Sequence, residues 1–386
     1  MNLLGIPVYI YATVFASLSI VVGLIWDISW HTSIGRDGLL SPPHLLIYLG
    51  AVVSGCFSGY RVLRVSFAGS LAEKAASVRF WGIFYASLGA LFSIWGAFAM
   101  LTSAPFDDWW HNTYGLDVQI LSPPHTVLIL GIMMVQFGAM IGVLALQNRL
   151  DKPMGFDLAS QRRETRARLL YVVAAGLLLV MLFTLASEHL DRWEMHRSQF
   201  YQIAGGVFLF YLVAVARSSK LRWAATATAG VYMAVMAAMV WVLPLFPAEP
   251  KLGPILNHIT RYQAFQFPLL LIFPALALDW SLRRWSAWND WWLAGVLAFF
   301  FLVTLLAVQW PMADFLMSPM ARNWFFGTES WYFGSDPTWE YRYAFAPWNL
   351  QSPIDFLQGL FWALIIGYAS ARLGLRWGQW MQNVQR

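Results

Sequence analysis

VYIYATVFASLSIVVGLIW, residues 8–26, runs nineteen residues without a charge, and hydroxyls and the Trp26 indole N–H are its only polar side-chain groups. An α-helix rises about 1.5 Å per residue, so about 20 such residues cross the roughly 30 Å hydrocarbon core of a bilayer. A backbone in lipid has no water to bond with, and a continuous helix satisfies its N–H and C=O groups internally. Similar runs recur along the chain at His44–Val62, Trp81–Leu101, His125–Ala145, Leu169–Leu185, Phe200–Val215, Trp223–Leu245, Tyr262–Leu278, Trp291–Val308 and Phe356–Leu373. The chain is 59% hydrophobic and 12% charged, half the charge of an ordinary soluble domain. Many of its 22 tryptophans flank the apolar runs, where interfacial belts place them. The expected fold is an all-α polytopic membrane protein of about ten transmembrane helices, arranged as five outward-pointing hairpins.

Basic residues fix the expected orientation. Eighteen of the 25 fall on one face, including Arg61, Arg64, Lys74 and Arg79 after the second run and Arg149, Lys152, Arg162, Arg163, Arg166 and Arg168 after the fourth. That face reads as cytoplasmic and holds both termini, which places the protein in a bacterial inner membrane with its odd-to-even loops periplasmic. The net charge of +5 is explained by this retention signal and gives no reason to invoke nucleic acid. No Lys or Arg precedes the first run, so it reads as a mature span rather than a cleaved signal. The single cysteine, Cys56, has no internal disulfide partner and reads as a packing residue.

Beyond the first run the chain reads WDISWHTSIGRDGLLSPPHLLIYLG from Trp26, and DDWWHNTYGLDVQILSPPHTVLILG from Asp107. Aligned on His31 and His111, the segments match at Asp27/Asp107, Trp30/Trp110, Gly35/Gly115 and Asp37/Asp117. After one extra residue in the second they share SPPH, at 41–44 and 122–125. This is an internal duplication, which in membrane proteins commonly pairs functional sites about a pseudo-symmetry axis. Residues 1–150 read as duplicated metal-binding hairpins, and 151–386 as additional spans with a long aromatic outer loop at 309–351.

All seven histidines fall on the outward side. Asp27 and His31 stand four apart at a helix end and share a face. In SPPH, Ser suits an N-cap and Pro the first helical position, which puts His44 in the first turn of the next helix, facing back across the hairpin. Asp107, His111 and His125 repeat the device. Two imidazoles and a carboxylate suit copper, zinc or Fe(II), and three protein ligands leave an open coordination position. Asp37 and Asp117 are the expected partners of the non-ligating imidazole nitrogens. The bland alternative is a set of polar caps at headgroup level, but a duplicated ionisable set at membrane depth is costly and usually functional. The third hairpin offers a weaker metal set, Glu188, His189, Asp191, Glu194 and His196, for which a cap salt-bridged to Arg192 or Arg197 is the simpler account. His258 alone reads as structural, and the fifth hairpin has SPID, with Asp355 where the first two place His. Met312, Met317 and Met320 read as packing at the membrane edge.

At these residues the first hairpin resembles the metal-binding stretch of the C subunit of copper membrane monooxygenases, the particulate methane and ammonia monooxygenases. That family has an Asp-x3-His-x12-His pattern around an Arg-Asp, which Asp27, His31 and His44 match, with Trp30, Arg36 and Asp37 in corresponding places. Its neighbouring site follows Asn-x3-His-x13-His; Asp107, His111 and His125 have that spacing, with Asp for Asn. The resemblance covers roughly Pro7 to Gln147. It implies one or two copper ions, oxidation of a small apolar substrate by O₂ near the membrane surface, partner membrane subunits and an electron donor. Two further readings stand beside it: a non-catalytic copper-handling or transport protein, and a structural subunit of a larger membrane complex.

Overall fold

The computed structural model of the chain describes residues 2–35, 38–115, 122–150, 158–251, 259–321, 323–327 and 351–386. These contain eleven α-helices: α1 (Val8–Ser33), α2 (Pro42–Ala68), α3 (Leu71–Ala75), α4 (Leu88–Tyr114), α5 (Pro123–Leu150), α6 (Leu158–Ala186), α7 (Ser198–Ser218), α8 (Ala224–Val242), α9 (Ile272–Arg284), α10 (Asp290–Met317) and α11 (Pro353–Gln382). Among the described residues, nine of the helices are long and apolar enough to cross a membrane. The protein is an all-α, multi-pass membrane protein that meets lipid along these helices. The only strands described form two short antiparallel ribbons, Asn2–Leu3 with Ile6–Pro7 and Val78–Phe80 with Phe84–Ala86. In the second ribbon Trp81 and Gly82 both have positive φ, as a tight hairpin turn demands. Trp81, expected to open the third span, therefore sits in that turn, and α4 begins at Leu88 behind its Ser87 N-cap.

The chain divides into two compact units. Unit one comprises Met1–Leu24, Gly38–Leu178 and Met381–Arg386; unit two comprises Ile25–Asp37 and Leu179–Trp380.

Unit one is organised by close helix pairs. Without a hydrophobic force between helices in lipid, association favours small residues that let backbones approach. The α4–α5 seam shows this: a Cβ at Gly96 would fall 2.6 Å from the Gly131 carbonyl oxygen, and one at Gly138 would fall 2.7 Å from that of Gly89. Helix α2 meets α1 in the same manner, with Gly50 over Ala16 and Ile20. The same seam sets where α4 closes with Asp107 and His111 and where α5 opens at His125.

Unit two buries Phe200, Tyr201 and Phe208 of α7, Tyr232 of α8 and Phe301 of α10. Here the expected eighth span, Tyr262–Leu278, is corrected. Its helix, α9, is only 13 residues and starts at Ile272. Pro268 removes a donor and biases its predecessor away from helix, and the preceding residues run without helix or ladder. Their backbone is satisfied by side chains instead. Gln263 N donates to Ser33 Oγ at 2.8 Å, Leu269 N to Tyr232 Oη at 3.0 Å and Leu270 N to Gln309 Oε1 at 3.0 Å. Ser29 Oγ donates to the Gln263 carbonyl. Irregular backbone at such depth is tolerated where protein encloses it. The expected loop at 309–351 also starts later than anticipated: α10 continues to Met317, so Gln309 and Met312 are helical.

Candidate metal centre

Helix α4 ends at Tyr114 and α5 begins at Pro123, so residues 107, 111 and 125 lie on the facing ends of one hairpin. Asp107 and His111 are one helical turn apart; Pro123 and Pro124 open α5 and place His125 in its first turn. The His125 N–H reaches Ser122 Oγ at 3.5 Å, and Thr126 N donates to the Ser122 carbonyl at 2.8 Å.

The donor atoms converge. Asp107 Oδ1 lies 3.4 Å from His111 Nε2 and 3.5 Å from His125 Nε2, and one ligand atom from each residue lies within 4.8 Å of the others. Four ligands about 2.1 Å from one ion in a tetrahedron stand about 3.4 Å apart. The two separations match the edge of such a tetrahedron.

His111 Nδ1 lies 3.3 Å from the Gly115 carbonyl oxygen, which can accept an Nδ1–H and leave Nε2 facing Asp107. Asp107 Oδ1 is buried and accepts no hydrogen bond among the described residues. The side chains of Asp107, His111 and His125 are 26%, 20% and 33% exposed, leaving an approach for an ion. Their chemistry fits copper, zinc or iron, with a fourth position open.

Gly115 is the partner that the sequence reading missed. It has φ +85° and ψ −174°, a conformation essentially confined to glycine, and this aims its carbonyl at His111. The expected partners, Asp37 and Asp117, lie outside the described residues, as does His258. The signal was present: glycine follows the histidine by four in both repeats, and Gly35 also has positive φ, +98°.

In the first hairpin, Asp27 and His31 belong to unit two and His44 to unit one. Asp27 Oδ2 lies 3.7 Å from His31 Nε2 at the end of α1. His44 occupies the first turn of α2, as SPPH implies, and its Nδ1 lies 3.2 Å from the Gly38 carbonyl. Each repeat thus gives one imidazole Nδ1 a backbone carbonyl, the arrangement that fixes a metal-ligating tautomer.

The weaker set is engaged differently. Glu188 and His189 are exposed on a single 3₁₀ turn. Glu194 pairs with Arg197 at 3.0 Å, and Asp191 Oδ1 accepts the Arg192 N–H at 2.5 Å. Burial pushes the Asp191 carboxyl above its ordinary pKa, against the attraction of Arg192. His196, its side chain 1% exposed, lies 3.0 Å from Asp314 Oδ1 and edge-on to Trp310 at 4.4 Å. Burial lowers the His196 pKa, with Asp314 acting in the other direction. Among the described residues these five side chains do not gather into a metal-holding group. In SPID, Ser352 Oγ donates to Asp355 Oδ2 at 2.8 Å and accepts the Asp355 N–H at 3.2 Å, so that acid closes a helix cap.

No protein-family model matches the chain, and neither curated proteins nor solved structures give a match.

Proposed function

We propose that the chain is a copper-binding membrane monooxygenase or monooxygenase-like subunit, acting near the periplasmic membrane face on a small apolar substrate with O₂. The observation that carries it is the convergence of Asp107 Oδ1 with His111 Nε2 and His125 Nε2 at 3.4 and 3.5 Å. Supporting it are the recurrence of the same donor types at Asp27, His31 and His44 in the sequence, and the resemblance of both spacings to the copper monooxygenase C subunit. Bound there, copper supplies a redox centre for O₂ chemistry. The chain's own part is to fix the ligands: the α4–α5 glycine seam sets the hairpin, Ser122 and the two prolines set His125, and Gly115 sets the His111 tautomer. The aromatic rings of Phe106, Trp109, Trp110 and Tyr114 lie 4.5 to 6.5 Å apart beside these ligands and offer an apolar wall for a substrate.

Partly open donors favour one second reading, a copper-handling protein that passes its ion on: His31 is 49% exposed and His125 33%. The deciding experiment is metal content by mass spectrometry on protein in lipid nanodiscs, beside His31→Ala/His44→Ala and His111→Ala/His125→Ala. Copper that falls with each double variant supports two sites, and O₂-dependent oxidation then separates catalysis from hand-over. Folded protein without copper, or with copper indifferent to both pairs, overturns both copper readings.

A further inference from the structure

Gln136 and Gln147 lie on α5, and both are enclosed, at 0% and 1% exposure. Among the described residues, neither the oxygen nor the nitrogen of either amide has a hydrogen-bond partner. A primary amide brings two N–H donors and a two-lone-pair acceptor. Enclosing it unpaired is strongly unfavourable, and more so in a helix apolar enough to span lipid. Leu or Met would fill the same space without that penalty. Folded interiors resolve such groups with ordered water, which needs two to four polar partners and is costly to remove.

The placement of the two amides is also ordered. Eleven residues separate His125 from Gln136, and eleven separate Gln136 from Gln147. At about 100° per residue, eleven residues return to within about 20° of the starting direction after about 16 Å of rise. The three side chains therefore emanate from one face of α5. The glycine seam with α4, at Gly131 and Gly138, lies nearly half a turn away from both glutamines.

We propose that α5 carries two internal water sites, one at Gln136 and one at Gln147, on the face that begins with His125. Each amide binds ordered water inside unit one, giving the helix two internal polar stations for solvent. The inference is independent of which ion, if any, the outer ligands hold.

Water-edited solid-state NMR tests it on the full-length, isotope-labelled protein in lipid bilayers. The side-chain NH₂ signals are assigned by their disappearance in Gln136→Leu and Gln147→Leu, with Gln→Met variants serving where leucine prevents folding. Magnetisation should pass from water to both amides, and each variant should abolish transfer at its own position alone. Absence of transfer at either amide in the folded protein overturns the proposal.

Discussion

The Nδ1 of His111 lies 3.3 Å from the carbonyl oxygen of Gly115, at the point where α4 gives way to a backbone that only glycine adopts readily. On the proposed reading this makes Gly115, through its carbonyl alone, a support for the His111 ligand. Gly115→Ala should cost about 1–3 kcal/mol at this φ and ψ, or turn the carbonyl away. Losing such an outer partner typically weakens metal binding by about 10–100-fold. Competition with a chelator should show a fall of that order, with helix content by circular dichroism unchanged.

Asp107 Oδ1 is shared between His111 and His125, and no described group donates a hydrogen bond to it. On the proposed reading it brings negative charge to an ion. Asp107→Asn retains the shape and an acceptor oxygen but removes the charge, and its NH₂ can aim hydrogens at the imidazole lone pairs. A binding isotherm should weaken by more than the roughly 100-fold ceiling of an outer-partner loss. Retained affinity would show that the carboxylate charge is not used.

Much of this was legible in sequence because membrane helices obey a simple rule: uninterrupted apolar length. The Asp-x3-His spacing declared a shared helical face, and SPPH declared a helix start, so His125 could be placed on its turn. What the sequence hid depended on backbone conformation and distant pairing. Gly115 repeats Gly35, yet the repeat does not say that its carbonyl turns onto His111. Nor does the apolar character of Tyr262–Leu278 show that Tyr232, Gln309 and Ser33, far away in sequence, would satisfy an unwound backbone. The five acids and histidines of the third hairpin resembled ligands in composition. Glu194 meets Arg197 three residues on, a local pairing, but that His196 meets Asp314 is decided by packing with α10, outside any local window.

His196 supplies a pH dependence. Burial, the largest influence, holds its pKa below the ordinary imidazole value, so the folded protein keeps the ring neutral while the unfolded chain takes up a proton near pH 6.5. Stability from this group is complete above the unfolded value and drains away as pH falls through the lowered folded one. Asp191, raised by its own burial, acts oppositely, losing stability as pH rises from the ordinary carboxylate range. His196→Gln removes only the first effect. Equilibrium unfolding in mild detergent between pH 7.5 and 5 should show the wild type losing stability on acidification relative to His196→Gln. Parallel curves would mean that the ring titrates normally.

The extended segment before α9 yields the last test. Leu269 N donates to Tyr232 Oη and Leu270 N to Gln309 Oε1, each at 3.0 Å, and Tyr232 is wholly buried. Without these acceptors the two N–H groups would be enclosed and unpaired. Tyr232→Phe keeps the ring and removes one acceptor, so it should cost about 1–3 kcal/mol, the desolvation penalty of an orphaned donor. Gln309→Leu should cost a similar amount. The double variant should exceed either single one, since the two acceptors serve different donors. Hydrogen exchange should locate the damage, with faster exchange at Leu269 in the first variant and at Leu270 in the second. If either substitution proves neutral and both amides stay protected, this segment is held by apolar packing from α8 and α10 rather than by its borrowed hydrogen bonds.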